Sequence, residues 1–400
     1  MLPVLNAIGF YAMTCHWDFA YGPKGLLSLQ RELKYPILAI NCYEKNTGDL
    51  VFPPFTVLER SGLLVGIIGI ASNIVDKVMP DHFSKGLSFT LGREELPLYI
   101  KEMQHERVDL IIVISHLGFP QDVLLAQEVA GVDLWLSGHT HNRLYQPLYV
   151  NGAAIIQSGC HASFLGRIDL ELEGGRISQL HHQLLPVTEN IAPHPEVEEN
   201  ICRQLQPHRV FLERIVGKTR THLNRNTVLE SSMDNFLLQS LIDLTGADVA
   251  FCNGWRYGAP IPAGSMTAND LYNIIPSDPP VSHVKLFGRE IWEMMEENLE
   301  RTFSCNPYNQ MGGYVKRCLG LNIYFKIENP KGCRIQEMFI RGKRLLPDAT
   351  YSAAFVTVQG IPLKYGRDRV DLEIRAVEAM ERLLAKQAVN SDLMGSIVAV

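Results

Sequence analysis

Short apolar runs alternate with amphipathic stretches along the first half of the chain. The runs at 63–71, 108–115 and 132–137 are rich in Leu, Ile and Val and are long enough to form buried strands. Between them, residues 95–106 and 121–130 carry apolar side chains every three to four positions, which is the spacing of an amphipathic helix. Because buried strands alternate with helices, we predict a layered α/β fold.

A strand, a turn and a linker follow these units. Residues 166–173 alternate between apolar and polar positions and lead into Gly174 and Gly175, which predicts a strand that ends in a turn. Three prolines then fall among polar residues between positions 185 and 195. We therefore expect a linker that is partly helical from Glu196 onward. The predicted division is 1–187 for the first domain, 188–215 for the linker and 216–400 for the second domain.

The second half restarts with its own mixture of helical and strand patterns. The predicted elements are a helix over 233–244 capped by Ser232, a strand over 248–252, a helix over 292–299, several strands within 320–358 and a helix over 372–386. A mixture of this kind predicts a second α/β domain.

Composition places the chain among ordinary globular proteins. Of the 400 residues, 46% are hydrophobic and 20% are charged, which excludes a disordered or fibrous chain. The 37 basic and 43 acidic side chains give a net charge of −6, which does not favour a nucleic-acid polymer or an anionic membrane as a partner. The longest apolar runs fall far short of the roughly 20 residues that span a bilayer, so we expect no membrane span. The eight cysteines lack paired spacing and predict mostly reduced thiols.

Histidine is the residue type whose placement stands out. The chain has 13 histidines, and His116, His139 and His141 all lie just beyond predicted strands. Ligands of open α/β sheets bind beyond the carboxyl ends of the strands, so these side chains are expected at one edge of the sheet. Neutral imidazoles are good ligands for Zn²⁺, Mn²⁺ and iron. The sequence therefore indicates a metal site at this edge.

Each of these histidines also has a purely structural interpretation. A single histidine at a strand end is more often structural, whereas the Gly-His-Thr-His segment at 138–141, downstream of His116, favours metal binding. His16 lies beside Trp17 and Asp18, and its spacing alone leaves open whether it is a packed core histidine or a functional one.

Several segments together resemble the binuclear metallophosphoesterases, in the branch that includes the 5′-nucleotidases. In the first half the resemblance rests on Ser-His-Leu-Gly at 115–118, Gly-His-Thr-His at 138–141 and Gln-Ser-Gly at 157–159. In the second half it rests on Asn-Gly-Trp-Arg at 253–256 and Ile-Pro-Ala-Gly at 261–264. The resemblance covers nearly the whole chain.

Within that family the chain is most similar to the sulfur-oxidation thiosulfohydrolases (SoxB). The His-Trp-Asp-Phe-Ala-Tyr-Gly segment at 16–22 resembles their His-Trp-Glu-Phe-Thr-Tyr-Gly, and residues 306–317 resemble their Pro-Tyr-x-Gln-x-Gly-Gly stretch. The resemblance implies an incomplete metallophosphoesterase-type layered α/β sandwich, followed by a second α/β domain of the 5′-nucleotidase C-terminal type.

The resemblance also implies a metal-dependent hydrolase, in which metal-activated water attacks a phosphoester or a thiosulfonate-type ester. His16 is the implied catalytic group that stabilises or protonates the leaving oxygen, and Asp18 is expected to orient its ring. The implied metal ligands are His116, His139, His141 and Cys15, which stands in the place of the family's Asn ligand. The implied substrate-binding residues are Asn253, Arg256, Tyr314 and Arg317, which would meet a small anionic substrate or a carrier-bound sulfur group. Cys15 is equally compatible with a small buried residue.

The metal site departs from the family pattern at the start of the chain. Members of the family carry an Asp-x-His motif and a Gly-Asp motif upstream of the segment that contains His16, but residues 1–13 contain no Asp, Glu or His. We therefore expect an N-terminally truncated member. A complete member holds two divalent ions, Mn²⁺ or Zn²⁺, and we expect one or none here. One alternative is a catalytically impaired form with residual metal or ligand binding.

The substrate pattern departs as well. A nucleotidase of this branch stacks an aromatic ring on the base, but the corresponding position here is Ser277, and a second stacking aromatic is missing near Thr357. Stacking contributes on the order of 1–3 kcal/mol per base in nucleic-acid binders. The departure argues against the usual nucleotide clamp, and a true 5′-nucleotidase remains the other alternative.

Overall fold

The computed structural model describes residues 1–255, 257–312 and 314–400 of the chain. They divide into two compact units, Met1–Gln206 and Pro207–Val400. No helix among the described residues is both long enough and apolar enough to cross a membrane.

The first unit contains the alternation predicted from the apolar pattern. Its helices are α1 (Leu2–Ile8), α2 (Gly22–Gln30), α3 (Val75–Val78), α4 (Leu96–His105), α5 (Phe119–Glu128) and α6 (Pro195–Leu205), with 3₁₀ turns at Trp17–Tyr21 and Asp81–Phe83. Its strands are β1 (Cys42–Glu44), β2 (Phe55–Arg60), β3 (Leu63–Ile70), β4 (Leu87–Phe89), β5 (Leu110–Ser115), β6 (Leu134–Ser137), β7 (Leu148–Val150), β8 (Ala153–Ile156), β9 (Phe164–Glu173) and β10 (Arg176–Pro186).

A six-stranded sheet forms the centre of this unit, in the order β2-β3-β5-β6-β8-β7. Strands β3, β5, β6 and β8 pair in parallel, and β2 and β7 pair antiparallel at the edges. The strands predicted over 63–71, 108–115 and 132–137 are thus confirmed as β3, β5 and β6. Their carboxyl ends share one edge, which is the geometry needed to bring the strand-end histidines together.

The sheet is buried by the helices that the 3.6-residue pattern predicts. Leu96, Ile100 and Met103 of α4 and Leu125 of α5 pack into one apolar core with Val113 of the sheet. Burial of such side chains stabilises the fold by about 1.5–3 kcal/mol each. The strand predicted over 166–173 is confirmed as β9, which pairs with β10 in a separate two-stranded sheet. The helix expected from Glu196 onward is confirmed as α6.

The second unit combines two larger sheets with flanking helices. Its helices are α7 (Arg209–Leu212), α8 (Ser232–Thr245), α9 (Ala268–Ile274), α10 (Gly288–Phe303), α11 (Thr357–Gly360) and α12 (Ala376–Lys386), with a 3₁₀ turn at Pro307–Asn309. Its strands are β11 (Ile215–Thr219), β12 (Val249–Cys252), β13 (Gly264–Thr267), β14 (Pro280–Phe287), β15 (Arg317–Leu319), β16 (Leu321–Phe325), β17 (Ile335–Ile340), β18 (Lys343–Arg344), β19 (Thr350–Val356), β20 (Arg367–Arg375) and β21 (Ile397–Ala399). A further 3₁₀ turn, Gln206–His208, spans the boundary between the units.

The sheets of this unit mix parallel and antiparallel pairs. One has the order β15-β12-β19-β14-β20 and the other the order β18-β17-β16-β21. The predicted helices over 233–244 and 292–299 are confirmed as parts of α8 and α10, and the strands predicted within 320–358 are present.

Two local predictions in this unit need correction. The residue that caps α8 is Ser231 rather than Ser232, because Ser231 has an extended backbone and its side chain accepts a hydrogen bond from the Asp234 amide. The helix predicted over 372–386 begins only at Ala376, because residues through Arg375 pair with β14 as strand β20.

Candidate metal centre

Three histidines meet at the carboxyl edge of the six-stranded sheet. The candidate donor atoms of His16, His116 and His139 all lie within 4.8 Å of one another. The ring centroid of His16 lies 5.0 Å from that of His116 and 4.8 Å from that of His139. The ring centroids of His116 and His139 are 5.3 Å apart. Among the described residues this is the one group of three or more His, Cys, Asp or Glu side chains that is close enough to share an ion.

Two of these histidines continue directly from neighbouring strands. Ser115 and Ser137 are the last pair in the β5–β6 ladder, and His116 and His139 follow them. The backbone turns sharply after Gly138, because His139 lies in the left-handed region with φ 68°. A Cβ atom at Gly138 would lie 3.1 Å from the His116 ring, so glycine leaves room for that ring.

His16 reaches the same point from a separate segment. Met13 forms a parallel bridge with Ile37, and the Ser72 amide donates a hydrogen bond of 3.0 Å to the Cys15 carbonyl. Because Ser72 lies just beyond β3, these contacts place His16 at the carboxyl edge of the sheet. His16 thus lies in a bend at the start of the 3₁₀ turn Trp17–Tyr21, which its sequence pattern did not predict.

The side chains present fit a divalent ion. His16 and His139 are each only 7% exposed, and His116 is half-buried. Zinc sites built on three histidines are common, and imidazole donors also suit copper, iron and nickel. A group of three imidazoles in a partly desolvated position is therefore chemically suited to hold one ion and to leave a coordination position for another molecule.

Asp18 lies next to this group through the backbone. Its Oδ2 accepts a hydrogen bond of 3.3 Å from the His16 amide. That bond helps to fix the turn into the 3₁₀ segment Trp17–Tyr21. Orientation of the His16 ring by Asp18 remains a prediction.

Two of the implied ligands lie elsewhere. Cys15 is fully buried among apolar side chains such as Phe19 and Phe52, and burial raises the pKa of its thiol well above the ordinary value. Cys15 is thus part of an apolar core and lies outside the three-histidine group, and its role as a metal ligand remains a prediction. The ring of His141 lies 6.1 Å from that of His161, and His141 is outside the three-histidine group.

The implied substrate-binding residues of the second unit divide into two classes. Arg317 is buried and donates to the Asp234 carboxylate and to the carbonyls of Thr227 and Val228, so its guanidinium is occupied by internal partners. Its assignment as an anion-binding residue is therefore corrected to a structural one.

The other implied substrate-binding residues are Asn253, Tyr314 and Arg256. Asn253 and Tyr314 are both half-buried, and the Tyr314 carbonyl accepts a hydrogen bond of 2.6 Å from the Thr302 hydroxyl. Arg256 lies outside the described residues. Asn253, Tyr314 and Arg256 therefore remain predictions.

A buried polar network lies directly behind the histidines and was missed by the sequence reasoning. The Asp122 carboxylate accepts hydrogen bonds from the hydroxyls of Ser115 at 2.6 Å and Ser137 at 2.5 Å. Gln157 donates to Ser137 at 2.9 Å and to the Gly138 carbonyl at 2.6 Å. Burial raises the pKa of Asp122 to about 7, although the two hydroxyls act in the opposite direction. The available signal was an acidic residue within an otherwise apolar helical pattern.

A cavity of about 690 Å³ borders the loop that carries His139. Its polar lining includes Ser137, Gln157 and His161, and apolar side chains of the sheet and of β9 complete its walls. Cavities of about 300–1,000 Å³ are typical of small-molecule sites.

Comparison with known proteins finds 5′-nucleotidases both among sequences and among solved structures. Residues 214–357 match the family model of the 5′-nucleotidase C-terminal domain. Protein UshA of Escherichia coli is 24% identical over 403 residues, covering 88% of this chain and 71% of that protein. The 5′-nucleotidase of Vibrio cholerae is 24% identical over 399 residues, covering 87% of this chain and 70% of that protein.

Among solved structures, the sulfate thiohydrolase SoxB of Thermus thermophilus is 25% identical, with a TM-score of 0.93 over 99% of this chain and 74% of that one. The chain is a relative of the 5′-nucleotidases and of SoxB. A 5′-nucleotidase precursor of Thermus thermophilus has the same fold, at 22% identity and a TM-score of 0.84 over 98% of this chain and 84% of that one. The predicted likeness to the 5′-nucleotidases and SoxB and the predicted α/β fold are thereby confirmed. The relationship supports a hydrolase that depends on a divalent metal.

Proposed function

We propose that the protein is a metal-dependent hydrolase that cleaves a phosphoester or a thiosulfonate-type ester in a small anionic substrate. The observation that carries this proposal is the gathering of His16, His116 and His139, whose donor atoms lie within 4.8 Å of one another. A bound divalent ion supplies a Lewis acid and lowers the pKa of water, which is the chemistry that ester hydrolysis near neutral pH requires.

His116 and His139 are the side chains that hold the ion in this proposal. They extend from neighbouring parallel strands, so the sheet itself fixes their spacing. Because imidazole donors suit zinc better than manganese, which favours carboxylate oxygens, we favour Zn²⁺ over Mn²⁺. One ion per chain is expected from this donor set.

His16 is the proton donor to the leaving oxygen. It comes from a different segment, and its ring lies beside both ligands, where an imidazolium can stabilise the negative charge that develops on the leaving group. The resemblance of residues 16–22 to SoxB supports this division of roles. The competing assignment makes His16 a third metal ligand. The affinity for the metal distinguishes the two roles, because only replacement of a ligand should weaken it.

A small anionic substrate is the ligand class that we propose. Asn253, Arg256 and Tyr314 are the proposed substrate contacts, because amide, guanidinium and hydroxyl groups donate hydrogen bonds to anions. Ser277 is exposed and lacks a ring for stacking on a base, so we favour a simple phosphoester or a thiosulfonate-type ester, including a carrier-bound sulfur group, over a nucleotide. AMP is the second candidate substrate, because several relatives are named 5′-nucleotidases.

The test is a hydrolysis assay on the purified chain after removal of metal and reloading with Zn²⁺ or Mn²⁺. p-Nitrophenyl phosphate, AMP and a thiosulfonate ester would be compared at equal concentration. We expect metal-dependent hydrolysis of the first or the third substrate. Vigorous hydrolysis of AMP alone would establish the nucleotidase, and binding of metal without turnover of any of them would establish the catalytically impaired form.

Variants assign the roles of the histidines. His116→Ala and His139→Ala should abolish both metal binding and hydrolysis, whereas His16→Gln should abolish hydrolysis and retain the ion. His181 is exposed on β10, and His181→Ala is therefore the matched control that should change neither. Loss of the ion in His16→Gln would make His16 a third ligand instead.

A further inference from the structure

The carboxylate of Asp122 is the most deeply buried acidic group near the histidines. Its residue is 0% exposed, and it lies in the first turn of α5, where the helix dipole favours a negative group. Within the part of the chain that the structure describes, the side chain forms no ion pair with Lys, Arg or His. Removing a carboxylate from water without pairing it with a cation destabilises the fold.

The two oxygens of this carboxylate bind two different strands. Oδ1 accepts from the Ser115 hydroxyl at 2.6 Å and Oδ2 accepts from the Ser137 hydroxyl at 2.5 Å. Ser115 and Ser137 are the last registered pair of β5 and β6, after which the ladder ends. Asp122 therefore fixes the two strands at the point where they separate.

The candidate ligands begin at that point. His116 directly follows Ser115, and His139 follows Ser137 by two residues. Gln157 extends the same network, because it donates to the Ser137 hydroxyl and to the Gly138 carbonyl. The positions of both imidazoles thus depend on hydrogen bonds that end at one buried carboxylate.

We propose that Asp122 is a positioning residue of the metal site, which sets the spacing of His116 and His139 through Ser115 and Ser137 and so determines affinity for the ion. The inference rests on the proposed function, since it concerns the same ion. Outer groups that orient metal ligands commonly change metal affinity by about 10–100-fold when they are replaced. Asp122 touches neither substrate nor ion.

The experiment compares Asp122→Asn with Asp133→Asn in the full chain. Asp133 is a matched control, because its carboxylate also supports this sheet, accepting from the Ile111 amide at 2.7 Å, but lies at the opposite end of β6. Affinity for Zn²⁺ would be measured by competition with a chromophoric chelator, and the ligand field would be recorded from the visible spectrum of the Co²⁺-loaded protein. Chemical denaturation of each variant would verify that it is folded under these conditions.

We expect Asp122→Asn to weaken Zn²⁺ binding by about 10–100-fold and to alter the Co²⁺ spectrum, while Asp133→Asn changes neither. If Asp122→Asn does not fold, Ser137→Ala replaces it, with a smaller loss of affinity and a changed spectrum expected. Wild-type affinity and an unchanged spectrum in the folded variant would overturn the inference while leaving the proposed function intact. Absence of Zn²⁺ binding in the wild-type protein would instead overturn the proposed function.

Discussion

Two buried aspartates, one in each unit, show how differently the same side chain is stabilised. Asp122 and Asp234 are both fully buried, and both lie in the first turn of a helix. The partners of Asp122 are the two serine hydroxyls behind the histidines. Asp234 also accepts from a serine hydroxyl, that of Ser231 at 2.6 Å, but it has two charged partners as well, the guanidinium groups of Arg225 at 2.9 Å and Arg317 at 3.1 Å.

The difference separates a cluster that contains opposite charges from one that is held by neutral groups. Arg225 and Arg317 also donate to backbone carbonyls, so Asp234 joins several segments of the second unit in a cluster of one carboxylate and two guanidiniums. Among the residues that the structure describes, the side-chain partners of Asp122 are neutral, and burial raises its pKa to about 7. The proposed role in positioning the metal ligands gives a reason for a carboxylate that is buried without a cation.

The largest expected effect is on the cluster of the second unit. Asp234→Ala leaves two buried guanidiniums without their counter-charge and should lower the free energy of unfolding by about 3–5 kcal/mol. Urea denaturation of the full chain measures this loss. A decrease below about 1 kcal/mol would mean that the cluster contributes no more than an exposed ion pair.

The next effect is a pH dependence that belongs to Asp122. Its ordinary pKa of 3.8 rises to about 7 in the folded state, so the unfolded chain releases the proton at lower pH than the folded chain. The contribution of Asp122 to the free energy of unfolding is therefore fully present below about pH 4. It is lost as the pH rises toward 7, and the loss amounts to up to about 4 kcal/mol.

Asp122→Asn removes this titration, so the stability of the wild-type protein relative to the variant should fall between pH 4 and pH 8. Denaturation of both proteins across this range gives the comparison. Parallel profiles would show that Asp122 is ionised in the folded state throughout, and the contrast with Asp234 would then disappear.

The smallest expected effect is the loss of an ion pair on the protein surface. Arg289 and Asp348 are 2.6 Å apart, but the Asp348 side chain is 91% exposed. Asp348→Ala should change the free energy of unfolding by less than about 1 kcal/mol. A loss as large as that of Asp234→Ala would show that burial is not what distinguishes the two pairs.

The central strands of the first unit were predictable because each is a short run of apolar residues. The runs that became β3, β5 and β6 have no competing interpretation once helical periodicity lies between them. The start of α12 was not predictable, because residues 367–375 become a strand only through pairing with β14. The sequence pattern of residues 367–375 does not reveal that β14 pairs with them.

The site was predictable to the extent that it consists of strand ends. His116 and His139 follow strands that pair in parallel, so their meeting follows from topology. Arg317 was misassigned because a motif does not reveal burial, and its guanidinium proved to be enclosed by Asp234 and two backbone carbonyls. Asp122 was missed because its partners are separated from it by 7 and 15 residues.

The most direct test of the central claim is the zinc content of the purified chain after chelation, reloading with Zn²⁺ and removal of excess ion. Elemental analysis should find one zinc per chain in the wild-type protein and in His181→Ala, and none in the His116→Ala/His139→Ala double variant. Equal zinc content in the double variant and the wild-type protein, or none in the wild-type protein, would contradict the assignment of these histidines as a metal centre.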